Sequence, residues 1–396
     1  MNIYTTDGWR KTDVSLKKTA IKWLRSEWKN YVQTLPPYRH EFNDKGIVMC
    51  AGGLSYFTCA WIAIKSIRRA GCILPIQLWY VGNELSGEAI KALGEMNVDC
   101  ENFLHHENAP WQGFLLKPFA ILHSRFKEVL YIDADNVCVS DPTALFFTSA
   151  YLQYGAVFWP DFWKTDRENP IWEIIGSSAF DTKEQDSGQL LVDKEKCWAA
   201  LNLCQYFNNM SEVYYEYLSG CKDIFRIAWM ALKTHWHMIT TEVAICGYPD
   251  PTTSTFLGTT MVQHNTKGEI QFMHRKLIKW DITRENELIW KKIKKIVPGS
   301  GQPRYLLNKI NETGPAFMDL QGDVEEIDFT VLLNDLEVLC LSDLEALRRS
   351  KMYARFLVHT YFRRRRYILS NIPFQLNDSN EASAYASGIS FSKKVI

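Results

Sequence analysis

Long apolar runs are missing from this chain: nowhere do about 18 apolar residues follow one another, so no membrane-spanning helix is expected. The first twenty residues, MNIYTTDGWRKTDVSLKKTA, also lack the apolar core of a signal peptide. No Cys-x-x-Cys pair occurs among the ten cysteines, which argues against zinc ribbons and thioredoxin-like chemistry. The cysteines are scattered among apolar neighbours, so a reduced, cytoplasmic setting is the expectation. An excess of either charge is lacking too. Lys plus Arg and Asp plus Glu number 45 each, so no overall field draws the chain to nucleic acid, and no such partner is expected. There is no internal repeat, which removes solenoids and propellers.

What is present is the balance of a globular protein. The 396 residues are 46% hydrophobic and 23% charged, enough for one large domain with additions. Leu16, Ile21, Leu24, Trp28 and Val32 recur at helical spacing, and Pro36-Pro37 ends that element. From Gly46 the texture changes. Gly46-Ile-Val-Met-Cys50 reads as a buried strand, followed by the turn Ala51-Gly52-Gly53 and a helix through Trp61, Ile64 and Ile67. Ile76–Val81, a helix near Ser86–Met96, a short strand near Val98 and Glu128–Ile132 continue the alternation. A strand every 25–30 residues or so is the rhythm of an α/β sheet with crossover helices. The expected organisation is a helical extension over 1–45, a catalytic α/β domain over 46–295 and a helical region over 296–396. Pro298-Gly-Ser-Gly-Gln-Pro303 marks the second boundary, and a polar flexible tail follows Asn377.

The strand Glu128-Val-Leu-Tyr-Ile132 runs directly into Asp133-Ala134-Asp135. Ligands of α/β sheets collect at the carboxyl ends of strands, where Gly52 and Asp133 both fall. Two carboxylates aimed at one point from a buried strand call for a cation between them, and oxygen ligands favour Mg²⁺ or Mn²⁺ over zinc. Such an ion would bridge a donor diphosphate and neutralise the leaving group. The plainer alternative is a strand-end turn, which the Asp-Asn pair at 135–136 suits.

The string from Lys117-Pro-Phe-Ala through Asp133-Ala-Asp135 to Asp141-Pro-Thr-Ala-Leu-Phe146 resembles the fungal α-mannosyltransferases of glycosyltransferase family seventy-one. More distantly it is similar to the retaining glycogenin and galactosyltransferase group. The likeness continues through Phe158-Trp-Pro-Asp-Phe-Trp163, Gln185-Asp-Ser-Gly-Gln189, Gly220-Cys-Lys-Asp223 and Phe272-Met-His274, over roughly residues 46–280.

The resemblance implies an α/β fold of GT-A type, the Rossmann-like domain of nucleotide-diphospho-sugar transferases. It implies a metal held by Asp133, Asp135 and His274, with His264 as the rival third ligand. Mn²⁺ suits an Asp-Asp-His set, with Mg²⁺ as the alternative. Ala51, Gly52 and Gly53 would lie along the nucleotide, with Ala134 between the two ligands. Lys117 is a candidate for donor phosphate or sugar, and Lys279 for the departing diphosphate. Asp186, Gln189 and Asp223 are the candidates at the reacting sugar.

Trp159, Asp161, Trp163 and Lys222 are candidates for the acceptor, since sugar faces stack on indoles and a carboxylate binds hydroxyls. For the aromatics a core-lining role is the alternative. The family's Gly-Asp-Lys-Asp departs here to Gly220-Cys221-Lys222-Asp223, and Ile224 replaces the usual Thr, so one acidic contact is missing.

The expected reaction is retaining transfer of a hexose, mannose from GDP-mannose first, onto a glycan, glycolipid or glycoprotein. The alternatives are a UDP-hexose or UDP-N-acetylhexosamine donor, or a carbohydrate-binding protein without activity. Residues 342–369 carry eight Lys and Arg against Asp343 and Glu345, interleaved with apolar side chains. That segment reads as a peripheral membrane contact, with a solvated basic helix as the alternative.

Overall fold

The computed structural model describes residues 2–371 except 108, 110–112, 179–180, 300–302 and 311, with no side-chain description for 114 and 366–371. The polar tail after Asn377 lies outside the described residues.

Period-two patterning builds the central sheet. In β3 (Asn43–Cys50) Ile47 and Met49 enter one core cluster while Val48 enters the other, on the opposite face. In β6 (Phe126–Ile132) Leu130 and Ile132 divide from Val129 and Tyr131 in the same way. A strand covered on both faces reads as a continuous apolar run, which is why these segments were visible in the sequence. Each large side chain fully buried this way stabilises by roughly 1.5–3 kcal/mol.

With β4 (Ile76–Tyr80) and β5 (Val98–Asn102) these strands form a parallel set joined by crossover helices, among them α2 (Gly53–Arg69). Beyond β6 lie β10 (Gln185–Asp193), antiparallel, then β8 (Ala156–Pro160) and β11 (His237–Met238). The order β11-β8-β10-β6-β3-β4-β5 extends a Rossmann-like half by an antiparallel strand. It is the α/β sheet with crossover helices expected from the sequence.

A second sheet was not expected. It contains β12 (Ala244–Pro249), β13 (Phe256–His264), β15 (Lys292–Ile296), β16 (Arg304–Lys309), β17 (Ala316–Gln321) and β18 (Val324–Asp328). A side branch joins it to the catalytic turn: β14 (Ile270–Arg275) pairs with β13 on one edge and with β7 (Asn136–Cys138) on the other. The C-terminal region expected to be helical from 296 instead contributes strands as far as Asp328, and its helices lie between Phe329 and Asn371.

The N-terminal segment likewise begins with a hairpin. There β1 (Asn2–Tyr4) pairs β2 (Trp9–Thr12), which pairs β9 (Lys164–Thr165). The expected helix follows as α1 (Lys18–Gln33), burying Ile21, Leu24 and Trp28. Among the described residues no helix is long and apolar enough to cross a membrane.

Candidate active site

The Asp-Ala-Asp turn sits where β6 ends, and two backbone bonds fix it. Asp133 N–H donates to Gly188 O at 2.8 Å, and Arg275 N–H donates to Asp135 O at 2.9 Å. Pairing of β7 with β14 sets His274 opposite Asn136, one residue past Asp135. A histidine 139 positions away is thereby delivered to the two aspartates by strand register. Ligand atoms of Asp133, Asp135 and His274 all lie within 4.8 Å of one another. His274 Nε2 is 3.3 Å from Asp135 Oδ1 and 3.9 Å from Asp133 Oδ2. Asp133 is the open member, its side chain 25% exposed against 8% and 6% for Asp135 and His274. Two carboxylates and an imidazole within that distance fit a divalent ion of the Mn²⁺ or Mg²⁺ class.

Surrounding groups orient each member. His274 Nδ1 lies 3.3 Å from Asp186 Oδ2, and Gln263 and Gln189 donate to the same carboxylate oxygen at 3.1 and 3.3 Å. Asp186 thus stands behind the imidazole and fixes its plane. Gly188 makes room for the ring: a Cβ there would fall 2.2 Å from His274 Nδ1. Lys117 Nζ donates to Asp133 Oδ2 at 3.0 Å and to Ser187 O at 2.6 Å, and Tyr131 Oη donates to Asp133 Oδ1 at 3.0 Å. Lys279 Nζ binds Asp135 Oδ2 and lies 4.8 Å from the Tyr56 ring centre.

Burial and charge compete here, and charge wins. Burial alone would raise the Asp135 carboxyl, but His274 and Lys279 hold it below the usual carboxylate range. Burial likewise opposes Asp186, which His274 nonetheless depresses. Against burial, Asp186 and Asp135 raise His274 to about 9. Burial disfavours charge on Lys117 and Lys279, yet Asp133 and Asp135 respectively keep both raised. The cluster holds stacked carboxylates whose charge is shared among cations.

The remaining candidates divide. Ala51 is buried, its N–H donating to Trp79 O at 2.9 Å, and Ala134 is buried between the two aspartates. Gly53 has φ +63 at the start of α2, and above Gly52 stands the Glu84 carboxylate. Gln189 lies at 0% exposure, its amide bonded to Asn136 and Asp186. Asp223 forms a bidentate pair with Arg226 at 2.8 Å to each oxygen, and also accepts from Gln185 N–H at 3.1 Å. Trp159 is fully buried with its indole N–H on His264 O, and Trp163 packs against Tyr4 and Tyr305. The structure therefore uses both tryptophans as core. Lys222 bridges Asp161 at 2.8 Å and Glu184 at 2.5 Å, with its side chain 17% exposed.

His264 is not part of the Asp133-Asp135-His274 cluster. Its imidazole is driven down to about 4, chiefly by burial, and Nδ1 is buried without a hydrogen-bond partner.

Several functional neighbours escaped the sequence reading. Tyr131 is two residues before Asp133 on a strand, a spacing that already puts both on one face. Gly188 inside a strand signals close approach of another group. Nothing local marks Gln263, which reaches Asp186 only through the sheet.

A family described as "Mannosyltransferase putative" matches residues 44–186 and 179–265. The alpha-1,2-mannosyltransferase MNN21 of Candida albicans is 25% identical over 325 residues, which is 66% of this chain and 49% of that protein. Alpha-1,2-mannosyltransferase MNN2 of Saccharomyces cerevisiae is 25% identical over 308 residues, covering 64% and 51%. The chain spans about half the length of the curated relatives it matches. Among solved structures, the glycosyltransferase GlyE of Streptococcus pneumoniae shares 20% identity over 50% of this chain and 45% of its own, with a TM-score of 0.35. The galactosyltransferase LgtC shares 17% identity over 46% and 69%, with a TM-score of 0.33.

Proposed function

The chain belongs to this mannosyltransferase family, and from that premise we propose a retaining, metal-dependent transferase moving mannose from GDP-mannose onto a glycan, glycolipid or glycoprotein. The observation that carries the reading is the Asp133-Asp135-His274 cluster, closed by the β7–β14 pairing at the carboxyl end of β6.

Asp133, Asp135 and His274 hold the ion in this reading. When bound, a divalent ion supplies Lewis-acid neutralisation of the leaving diphosphate. The rest of the chemistry belongs to side chains. Asp186 acts as a positioning residue, holding the imidazole so that Nε2 faces the two aspartates. Lys117 and Tyr131 aim Asp133, and Lys279 is placed to transfer from Asp135 to the diphosphate as negative charge develops. No side chain of the cluster is free to serve as a covalent nucleophile, which supports front-face attack with the departing phosphate taking the acceptor proton. Catalysis is then mainly positioning and charge neutralisation. The relatives' printed names specify an alpha-1,2 product, which supports retention of the donor's configuration.

The C-terminal helix (Lys351–Asn371) supports a peripheral membrane contact. Val358, Tyr361 and Phe362 are exposed on it beside exposed Arg364 and Arg365. Arg348, Arg355 and Arg363 instead turn to the protein, the first onto carbonyls of Trp280, Asp281 and Thr283, the others onto Glu88 and Glu84. All ten cysteines are unpaired, which suits a cytoplasmic location.

A panel of nucleotide sugars incubated with the chain and Mn²⁺ tests the donor assignment. Hydrolysis of GDP-mannose above all others is expected. Turnover of a UDP-sugar with none of GDP-mannose would overturn the donor and keep the transferase.

A further inference from the structure

Resting on that donor reading, we propose that Glu84 selects the nucleobase and makes the site one for guanosine rather than uridine diphosphate sugars. Glu84 follows β4 and reaches back over the donor turn. A Cβ on Gly52 would lie 2.1 Å from Glu84 Oε2, so only glycine at 52 lets the carboxylate stand there. Val81 N–H donates to Oε2 at 3.3 Å, while Nη1 of Arg363, from the C-terminal helix, approaches Oε1 at 3.5 Å. The acid is thus oriented from two sides and remains 28% exposed. On the other flank, Arg363 Nη2 would stand 3.3 Å from a Cβ on Gly53, and its Nε is buried without a hydrogen-bond partner.

Gly53 N–H donates to Glu84 O at 3.3 Å, which ties this acid to the start of α2, the helix that carries Tyr56. Lys279 binds Asp135 and sits over the ring of Tyr56, 49% exposed in the first turn of α2, the helix that begins at Gly53. A nucleotide with its diphosphate at Asp135 and Lys279 and its base beside Tyr56 brings the base edge to Glu84.

The chemistry of that edge decides the base. An ionised carboxylate only accepts hydrogen bonds, through two oxygens. Guanine offers it two adjacent donors, N1–H and the N2 amino group, in a bidentate match. Uracil offers one N3–H between two carbonyl oxygens, which a carboxylate repels. A bidentate base contact is worth about ten- to a hundredfold in discrimination.

Titration calorimetry of the full chain with Mn²⁺, using GDP, IDP and UDP as probes, tests the assignment. IDP lacks the N2 amino group. Wild type is expected to bind GDP about tenfold or more tightly than IDP and UDP. Glu84→Gln is expected to lose most of the GDP preference and to bind UDP as tightly as wild type or more so, because the charge facing the uracil carbonyls is gone. Equal binding of GDP and IDP by wild type overturns the proposal without any variant having to fold. So does a Glu84→Gln protein that keeps the full preference for GDP. In both cases the transferase reading stands; a wild type that binds no nucleoside diphosphate with Mn²⁺ overturns both.

Discussion

His274 and His264 have opposite surroundings, and the difference is measurable. His274 is framed by Asp133, Asp135 and Asp186, whereas His264 makes no ion pair among the described residues and burial drives its imidazole down to about 4. In a Mn²⁺ titration His274→Ala should weaken binding by at least about tenfold, and His264→Ala should change it little. The reverse order would show that the third ligand is misassigned. Gly188→Ala makes a sharper test, because its methyl group would meet the imidazole at 2.2 Å. It should cost Mn²⁺ affinity about as much as Asp186→Asn, near ten- to a hundredfold, while circular dichroism stays native. Unchanged affinity would remove the imidazole from the metal.

At this scale the sequence was informative wherever chemistry and spacing coincide. Asp133, Asp135 and His274 were readable because the aspartates end an apolar strand and the late histidine falls in a family motif. Trp159 and Trp163 misled as acceptor platforms: an indole is equally suited to a core, and burial depends on strands distant in sequence.

At the scale of elements, the N-terminal hairpin is pinned by one ion pair. Arg10 Nε meets Glu184 Oε1 at 2.7 Å with both side chains at 0% exposure, and Glu184 also accepts from Lys222. Arg10→Ala leaves a buried carboxylate short of a partner and should destabilise the protein by about 3–5 kcal/mol in chemical denaturation. A loss under about 1 kcal/mol would mean that the pair is dispensable.

Burial opposes the charge on Glu184, but Lys222 and Arg10 overcome it and lower the group from 4.5 to about 2. A depressed carboxyl stabilises the fold above its unfolded value and loses that contribution as pH falls through the folded one. Stability should therefore be lost as pH falls below the ordinary carboxylate range, and Glu184→Gln should flatten that part of the profile. An unaltered slope would contradict it.

The second sheet was illegible for a related reason. Lys-Ile-Lys-Lys-Ile in β15 places one fully buried side chain, Ile293, among lysines, and its partners β12 and β18 come from separate stretches of chain. Cross-strand pairing of that kind leaves little local pattern. The parallel strands β3 and β6 announced themselves through their apolar runs Ile47-Val-Met49 and Val129-Leu-Tyr-Ile132.

For the whole molecule, the C-terminal helix is both a wall of the protein and an outward surface. Arg363 faces Glu84, while Arg364 and Arg365 share the outer side with Val358, Tyr361 and Phe362. Vesicles of anionic lipid should pellet the protein at low salt and release it as salt rises, each exposed basic residue contributing about 1 kcal/mol or less. Replacing Arg364 and Arg365 with Gln should reduce pelleting. Equal pelleting of wild type and variant, or none of either, returns the helix to a solvated role.

If Asp133, Asp135 and His274 hold a metal through which a nucleotide sugar is used, removing the ion must stop turnover. GDP-mannose turnover, followed with Mn²⁺, after chelation and after Mn²⁺ is restored, tests it most directly, with Asp135→Ala alongside. Turnover should stop on chelation, return with the ion and be absent from the folded variant. Full turnover in metal-free buffer would contradict it.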